Sequence, residues 1–270
     1  MTPDIKLQSA LEGRPKVEDF QRTHHVELMT MLFTDIVGST DLKQQLGDRH
    51  AIELMHRHHA AVRATLLGFP NAAEIDTAGD GFFIVFTKPS DAVRFSLLLQ
   101  TRLRALAVET GHPILDRIGI HAGEVFVEEC ADSGKPRDFY GIQVDTTARV
   151  MSLGTGDQVL MTRFVFDNAR QILRGQDIAG LDGLTWLNHG LYAMKGLDEP
   201  LEICEAGETG KARLLQPADS DKAKRHGVDA DAVLGWRPAI GLTVPNTQWT
   251  LERLLGKAAL AKSGSGVTRR

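Results

Sequence analysis

Two short acidic motifs constrain the fold of this chain more than any other feature of its sequence. F-T-D-I-V-G-S-T at residues 33–40 ends an apolar run at Asp35, and G-D-G at residues 79–81 sets Asp80 between two apolar segments. Asp-Gly is a strong hairpin signal. Each motif therefore predicts one aspartate at the end of a strand, and two such carboxylates meeting at one edge of a sheet can bind a pair of divalent cations.

The hydrophobic pattern around these motifs predicts an α+β domain. Residues 26–36 are predicted as a buried strand, and Ser39 and Thr40 as N-caps of the following helix. Apolar residues then recur at helical spacing in a stripe that predicts a helix facing a sheet, namely Ile52, Met55, His59, Val62 and Leu66. Later strands are predicted at 73–75, 82–86, 117–127, 158–162, 184–187 and 201–205, and helices at 89–111, 141–153 and 163–173. This order is typical of a ferredoxin-like mixed sheet with packed helices.

Composition excludes several classes of protein. A net charge of -4 over 270 residues argues against nucleic acid as a partner, and 42% hydrophobic content supports a packed core. No apolar run of membrane-spanning length occurs, so we expect a cytoplasmic protein without a membrane partner. Residues 1–25 are polar and weakly patterned, which predicts a flexible lead-in.

Cysteine and histidine do not form a recognisable metal motif. Cys130 and Cys204 are too few and too far apart for a zinc ribbon or a disulfide framework, so both are interpreted as incidental. His56, His58 and His59 fall in a predicted helix, where solvated or core-edge side chains are the expected interpretation.

Five motifs in a fixed order resemble one known family. Besides the two acidic motifs, they are R-I-G-I-H-A-G-E-V from Arg117, G-I-Q-V-D-T-T-A-R-V from Gly141 and M-K-G from Met194. Together they make residues 26–207 similar to the catalytic domain of class III nucleotidyl cyclases, the adenylate and guanylate cyclases. Each motif alone is weak, and their joint spacing carries the resemblance.

The resemblance implies a homodimer with composite sites at its interface and two Mg²⁺ or Mn²⁺ ions per site. Asp35, Asp80 and the carbonyl of Ile36 would bind the metals, while the backbone around Gly38, Ser39 and Thr40 would contact the phosphates of a nucleoside triphosphate. The other implied site residues are Lys195 for the polyphosphate, Arg149 for transition-state charge and Asp145 for the ribose. The implied reaction is attack of the ribose 3′-hydroxyl on the α-phosphate, which yields a 3′,5′-cyclic nucleotide and pyrophosphate for signalling.

The sequence departs from the family pattern where it would read the base and the ribose. Asp76 stands where adenylate cyclases carry lysine and guanylate cyclases glutamate; an ionised aspartate accepts hydrogen bonds and suits guanine or uracil N–H groups. Asp138 resembles the adenylate type, which accepts from an exocyclic amine. ATP remains the expected substrate. Asp145 replaces the usual asparagine and adds negative charge near the triphosphate.

Other interpretations stay open. Asp35 alone could favour a helix N-terminus, Asp80 could merely form a turn, and Asp145 with Arg149 at i and i+4 could be a surface ion pair. If Asp145 holds Arg149, activity could vanish, which would leave a catalytically silent dimerisation or nucleotide-sensing module. A polymerase-like phosphotransferase would share the metals but would leave Arg149 and Lys195 unexplained.

Residues 208–270 are predicted as a linker and a partly disordered tail. The stretch from Gly235 to Gly256 resembles the approach to the first strand of a protein kinase, but K-A-A-L-A-K-S-G at residues 257–264 replaces the expected glycine-rich loop. Loss of one base from codons for K-G-G-F-G-E-V-W would yield that string. We therefore expect the remnant of a kinase fusion altered by a frameshift.

Overall fold

The computed structural model describes residues 24–128, 138–178, 180–226, 249–251 and 267–269. Contacts divide the chain into two units, residues 1–224 and 225–270. In the second unit the described part is a hairpin of β10 (Trp249–Leu251) and β11 (Val267–Arg269). The predicted lead-in up to residue 23, Cys130 and most of the kinase-like stretch with its altered loop lie outside the described residues.

One mixed sheet with packed helices forms the first unit, which confirms the predicted α+β fold. Its strands are β1 (His24–Ile36), β2 (Ala72–Ala78), β3 (Gly81–Phe86), β4 (Asp116–Glu128), β5 (Asp138–Tyr140), β6 (Gln158–Thr162), β7 (Leu184–Met194), β8 (Leu201–Glu208) and β9 (Ala223–Arg225). Its helices are α1 (Ser39–Leu46), α2 (Asp48–Leu66), α3 (Pro89–Thr110), α4 (Ile142–Leu153) and α5 (Arg163–Leu173). The strand order is β2-β3-β1-β4-β6-β8-β7-β9, with β5 paired to β4. β4 and β6 are parallel, whereas β1 is antiparallel to both β3 and β4.

Burial on both faces explains the continuous apolar run of β1. Leu32 and Ile36 pack into the main core with residues of α3, while Met31 packs on the opposite face with Phe83 and Val125. A strand covered on both sides reads as an unbroken hydrophobic segment. Among the described residues, no helix is long and apolar enough to cross a bilayer.

Helix α2 is rotated relative to the prediction. Its buried residues are Ala51, Leu54, His58, Val62 and Thr65, whereas Ile52 of the predicted stripe is 56% exposed. The prediction failed because His58 is polar and yet fully buried against a buried acid, so hydrophobicity alone selected the wrong face. The expectation of a solvated or core-edge side chain is therefore wrong for His58.

The N-terminus of α1 also differs from the prediction. Gly38, in the left-handed conformation with φ 74°, is the N-cap, and Ser39 is the first helical residue. No side chain among the described residues caps this end. The predicted capping role of Ser39 and Thr40 is wrong, and the backbone N–H groups of the first turn receive no acceptor from a capping side chain.

Candidate active site

The structure brings Asp35 and Asp80 together at one end of the sheet. Asp35 is the penultimate residue of β1, and Asp80 lies in the turn between β2 and β3. The backbone N–H of Ile36 donates to Asp80 Oδ2 at 3.2 Å. Gly81 allows this approach, because a Cβ there would lie 3.2 Å from the carbonyl oxygen of Thr34. Both carboxyl groups are partly exposed, so neither is turned into the apolar interior.

Asp35 is held between a like charge and an opposite one. Burial is the largest cause that raises the pKa of the Asp35 carboxyl, and the neighbouring Asp80 carboxyl raises the pKa further. Arg117 opposes this effect by donating from Nη2 to Asp35 Oδ2 at 2.6 Å. Asp35 is thus a carboxyl of raised pKa beside a second acid, and a divalent cation bound there would offset the repulsion between the two groups.

Sequence reasoning missed Arg117 as a site residue. Arg117 lies opposite Asp35 in the antiparallel β1–β4 register, and its side chain is 30% exposed. The arginine was visible at the start of its motif, but only the strand register shows which acid it faces. It places a positively charged group beside Asp35.

A buried polar cluster lies beneath the two aspartates. Asp116 is fully buried and accepts from Thr34 Oγ1 at 2.6 Å, while His58 Nε2 lies 3.0 and 2.9 Å from its two carboxylate oxygens. Gln100 Nε2 donates to the Asp116 carbonyl at 2.9 Å. Thr34 and Asp116 directly precede Asp35 and Arg117 in the sequence, so this cluster joins α2 and α3 to the strand ends that carry the site.

The loop after β1 has the geometry of an anion site. The N–H of Val37 donates to the Leu115 carbonyl at 3.0 Å, which fixes the loop against the chain before β4. Gly38 then turns the backbone into α1, where Ser39 and Thr40 begin the helix. Uncapped N–H groups at a helix start, with the helix dipole, favour phosphate binding.

Arg149 and Lys195 form a second group. Arg149 lies on α4 with one guanidinium nitrogen packed at the turn after β7, where a Cβ on Gly196 would be 3.5 Å from Nη2. Its contact with Asp145 is long, 4.0 Å, and Asp145 is 67% exposed. Arg149 Nη1 is buried without a hydrogen-bond partner among the described residues. The arginine is therefore not saturated by Asp145.

Lys195 is exposed and, within the described part of the chain, makes no ion pair. Its backbone N–H donates to the carbonyl of Lys222 at 2.8 Å. No hydrogen bond or ion pair among the described residues connects Arg149 or Lys195 to Asp35 or Asp80. A single chain thus presents two separate groups of candidate site residues.

The two base-reading candidates stand on different strands. Asp76 is exposed on β2, beside an irregularity in the β2–β3 pairing, and its Oδ1 accepts from the N–H of Thr77 at 2.9 Å. Asp138 begins β5, where its Oδ2 accepts from Tyr140 Oη at 3.2 Å. Both carboxylates are hydrogen-bond acceptors in this structure.

The donor set around Asp35 and Asp80 suits a hard cation. Carboxylate and carbonyl oxygens are the ligands that Mg²⁺ and Mn²⁺ prefer. Within the described ranges, no group of three or more His, Cys, Asp and Glu side chains forms a complete metal cage. Two carboxylates therefore fit a cation that is shared with a phosphate-bearing substrate, because Mg²⁺ commonly uses one or two carboxylates plus substrate oxygens.

Residues 21–183 match the sequence profile of the adenylate and guanylate cyclase catalytic domain. The chain belongs to this family. Among its relatives, a receptor-type adenylate cyclase of Trypanosoma brucei brucei is 26% identical over 219 residues, covering 65% of this chain and 35% of the relative. An uncharacterised protein of Mycobacterium tuberculosis (strain ATCC 25618 / H37Rv) is 27% identical over 210 residues, covering 75% of this chain and 65% of the relative. The cyclase chain thus spans less than two thirds of the length of these relatives.

Solved cyclase structures share the fold. The adenylyl cyclase CyaB from P. aeruginosa superposes with a TM-score of 0.60 at 16% identity, over 70% of this chain and 98% of that one. The guanylyl cyclase Cya2 gives a TM-score of 0.56 at 21% identity, over 73% of this chain and 100% of that one. Both have the mixed sheet with packed helices described above.

Proposed function

We propose that this cyclase domain converts a nucleoside triphosphate, with ATP as the expected substrate, to a 3′,5′-cyclic nucleotide and pyrophosphate. The single observation that carries the proposal is the proximity of Asp35 and Asp80 at the strand ends of a cyclase fold, where the N–H of Ile36 donates to Asp80 Oδ2 at 3.2 Å. Adenylate cyclases among the relatives support ATP. Asp76 is the residue that argues for another base.

The chain's own residues have distinct roles in this proposal. Asp35, Asp80 and the Ile36 carbonyl would hold two Mg²⁺ or Mn²⁺ ions, which when bound acidify the ribose 3′-hydroxyl and neutralise triphosphate charge. The N–H groups at Gly38, Ser39 and Thr40 hold phosphate oxygens. Arg117, already hydrogen-bonded to Asp35, adds positive charge on the same side.

Arg149 and Lys195, the second group, would act on the polyphosphate and on the charge that develops during attack. Lys195 holds the polyphosphate, and Arg149 stabilises the charge that develops on the α-phosphate, since its Nη1 is buried and unpartnered among the described residues. Asp145 accepts from the ribose hydroxyls. Asp76 and Asp138 accept hydrogen bonds from the base.

Because no hydrogen bond or ion pair joins the two groups among the described residues of one chain, the proposal includes a homodimer whose sites combine both. An exposed apolar row supports this: Val26 is 59% exposed and Leu28 63%, and Val26 pairs with Phe126, which pairs with Tyr140. A contiguous exposed apolar face marks an interaction surface. We place the dimer in the cytoplasm, without nucleic acid or membrane as a partner.

We further propose a division of the chain into a catalytic domain and a remnant of a second domain. Residues 26–207 are the catalytic domain, and residues 208–270 lead into what was a kinase domain before a frameshift. Translation of the gene in the adjacent frame beyond Gly256 tests this. A glycine-rich loop followed by a kinase lysine is expected there, and the absence of any kinase-like sequence would remove the idea.

The direct test of activity incubates the purified chain with each of the four nucleoside triphosphates and Mn²⁺, and identifies products by mass spectrometry. A 3′,5′-cyclic nucleotide and pyrophosphate are expected from ATP. Asp80→Asn is expected to lower the rate by more than about 100-fold, whereas Asp167→Asn on the exposed surface of α5 leaves it unchanged. No cyclic product from any nucleotide, with fold and dimer intact, would favour a catalytically silent module.

A further inference from the structure

Residues 209–224, here called the strap, cross the end of the sheet after β8. Their polarity predicted a linker, but they belong to the same unit as the sheet. Three of their backbone carbonyls accept hydrogen bonds from the sheet and its turn. The pairs are Gln158 Nε2 to Leu215 O at 2.6 Å, Tyr192 Oη to Pro217 O at 2.9 Å and Lys195 N to Lys222 O at 2.8 Å.

The end of the strap fills a small apolar cluster. Ala223 is 2% exposed and packs in a cluster that also contains Val150, Tyr192 and Met194. Val150 follows Arg149 on α4, and Met194 precedes Lys195. The same cluster therefore supports both residues that are proposed to act on the polyphosphate and the developing charge.

Burial makes the hydrogen bonds between the sheet and the strap energetically significant. Gln158 and Tyr192 are fully buried, so loss of the strap would remove one acceptor of a buried phenol hydroxyl and one acceptor of a buried amide. Leaving a buried donor unpaired is more costly than losing an exposed hydrogen bond. Removal of Ala223 would also open the cluster beside Met194.

The start of the strap is fitted closely against β8. A Cβ on Gly207 would lie 2.3 Å from Ala212 Cβ, and the N–H groups of Lys211 and Ala212 both donate to the Glu208 carbonyl, at 3.2 and 3.0 Å. Ser220 organises the other end, because its N–H donates to the Ala223 carbonyl at 2.8 Å. The strap is thus fixed at both ends and in the middle.

We propose that the strap positions the Lys195 turn and thereby sets the affinity of the site for a polyphosphate. The proposal rests on the proposed function, which assigns Lys195 to the polyphosphate. The strap acts through the Lys222 carbonyl, which accepts from the backbone N–H of Lys195, and through Ala223, which packs in the same cluster as Met194. In this proposal the strap touches no substrate atom. Since the chain continues from the strap into residues 225–270, displacement of the strap is a route by which events in that segment would alter substrate binding.

The test uses the full chain and two substitutions that add the same charge. Ala223→Asp places a carboxylate in the apolar cluster, and Leu215→Asp places one at a strap position that is 50% exposed and whose backbone carbonyl accepts from Gln158. Hydrogen exchange of the peptide containing Lys195, and calorimetric binding of inorganic tripolyphosphate with Mn²⁺, are measured for both. Ala223→Asp is expected to accelerate exchange and to weaken binding about ten-fold, as loss of the buried support predicts, while Leu215→Asp changes neither.

Tyr192→Phe separates positioning from folding. It keeps the ring in the cluster and removes the hydroxyl that donates to Pro217. A folded protein with weaker tripolyphosphate binding and an unchanged far-ultraviolet circular dichroism spectrum is therefore expected. In turnover, the substrate KM should rise while the Mn²⁺ concentration for half activation stays constant. A general loss of structure would instead lower the active fraction at constant KM.

Two outcomes would overturn the strap proposal. One is unchanged exchange at Lys195 in folded Ala223→Asp or, should that variant not fold, in Tyr192→Phe; the other is unchanged tripolyphosphate affinity in the same variant. A wild-type chain that neither binds tripolyphosphate nor forms a cyclic product would count against the proposed function instead. If the wild-type chain lacks both properties but Ala223→Asp or Tyr192→Phe accelerates hydrogen exchange at Lys195, the strap still holds the Lys195 turn.

Discussion

At the scale of single residues, Asp35 is under opposing influences. Burial and the Asp80 carboxyl raise the pKa of Asp35, and the Arg117 guanidinium only partly offsets this. Because the folded pKa lies above the unfolded value, the folded state holds the proton more strongly than the unfolded state. Charge at Asp35 therefore destabilises the metal-free protein, and a cation bound by both carboxylates would reverse that effect.

This sign gives a pH prediction for metal binding. Without metal, the free energy of unfolding should fall as pH rises from the ordinary aspartate pKa through the raised pKa of folded Asp35. Added Mn²⁺ should raise Tm at neutral pH, and this increase should shrink as pH falls through the same raised pKa, because protons compete for the carboxylate. Both trends are measured by thermal unfolding with and without Mn²⁺, from about pH 4, where an ordinary aspartate titrates, to about pH 8.

The matched control is Asp80→Asn. It removes the like charge beside Asp35 but leaves the burial of that carboxyl, so the metal-free protein should lose part of the pH trend, and Mn²⁺ should no longer raise Tm. An equal Mn²⁺ shift in Asp80→Asn and in the wild type would show that the ion binds elsewhere.

At the scale of secondary-structure elements, the buried pair of His58 and Asp116 joins α2 to β4. Removing His58 leaves the Asp116 carboxylate with only Thr34 as a side-chain donor among the described residues, in a fully buried position. We expect His58→Leu to lower the free energy of unfolding by about 3 kcal/mol, because a buried acid loses its partner. Urea unfolding measures this. His56→Leu, at an exposed position on the same helix, should change it little, and equal effects of both would contradict the role of the pair.

Helix α4 approaches β4 through a glycine, and this contact sets the position of Arg149. A Cβ on Gly119 would lie 2.1 Å from the backbone nitrogen of Met151, a distance that requires the helix to move. We expect Gly119→Ala to lower kcat at least ten-fold, because misplacing a transition-state group by about 1 Å has large effects. Steady-state kinetics measure this.

Gly68→Ala serves as its control, since the nearest atom to that Cβ is 3.4 Å away, an ordinary contact. Wild-type kcat in Gly119→Ala would mean that α4 does not need this close approach.

The elements also show where sequence reasoning succeeds and where it fails. Asp35 and Asp80 were predicted at strand ends because apolar runs stop there, and the structure places them there. The predicted buried face of α2 was wrong because His58 is buried by its contact with the Asp116 carboxylate, which a hydrophobicity pattern does not reveal. The strap was not foreseen because backbone carbonyls make its hydrogen bonds to Gln158, Tyr192 and Lys195, and a polar sequence gives no sign of them.

At the scale of the whole molecule, the proposal requires two chains for one site. Asp35→Asn removes a metal carboxylate, and Arg149→Ala removes a charge from the second group, so each variant alone should be inactive. Mixing them should restore about a quarter of the wild-type specific activity, since random pairing makes half of the dimers mixed and gives each one intact site. Activity of the mixed sample measures this complementation.

The exposed apolar row provides its control. Phe126→Glu should prevent both dimer formation and complementation, whereas Val108→Glu, at an 85% exposed position on α3, should permit both. Sedimentation equilibrium reports the dimer. Inactive mixtures in which mixed dimers are present would show that each site is built from one chain.

The most direct test of the central claim is anomalous diffraction from crystals of the chain grown with Mn²⁺ and a 3′-deoxynucleoside triphosphate, which cannot cyclise. We predict anomalous peaks for manganese ions that are coordinated by carboxylate oxygens of both Asp35 and Asp80. The triphosphate should lie at the start of α1. Manganese bound elsewhere, with Asp35 still paired only to Arg117, would contradict the account.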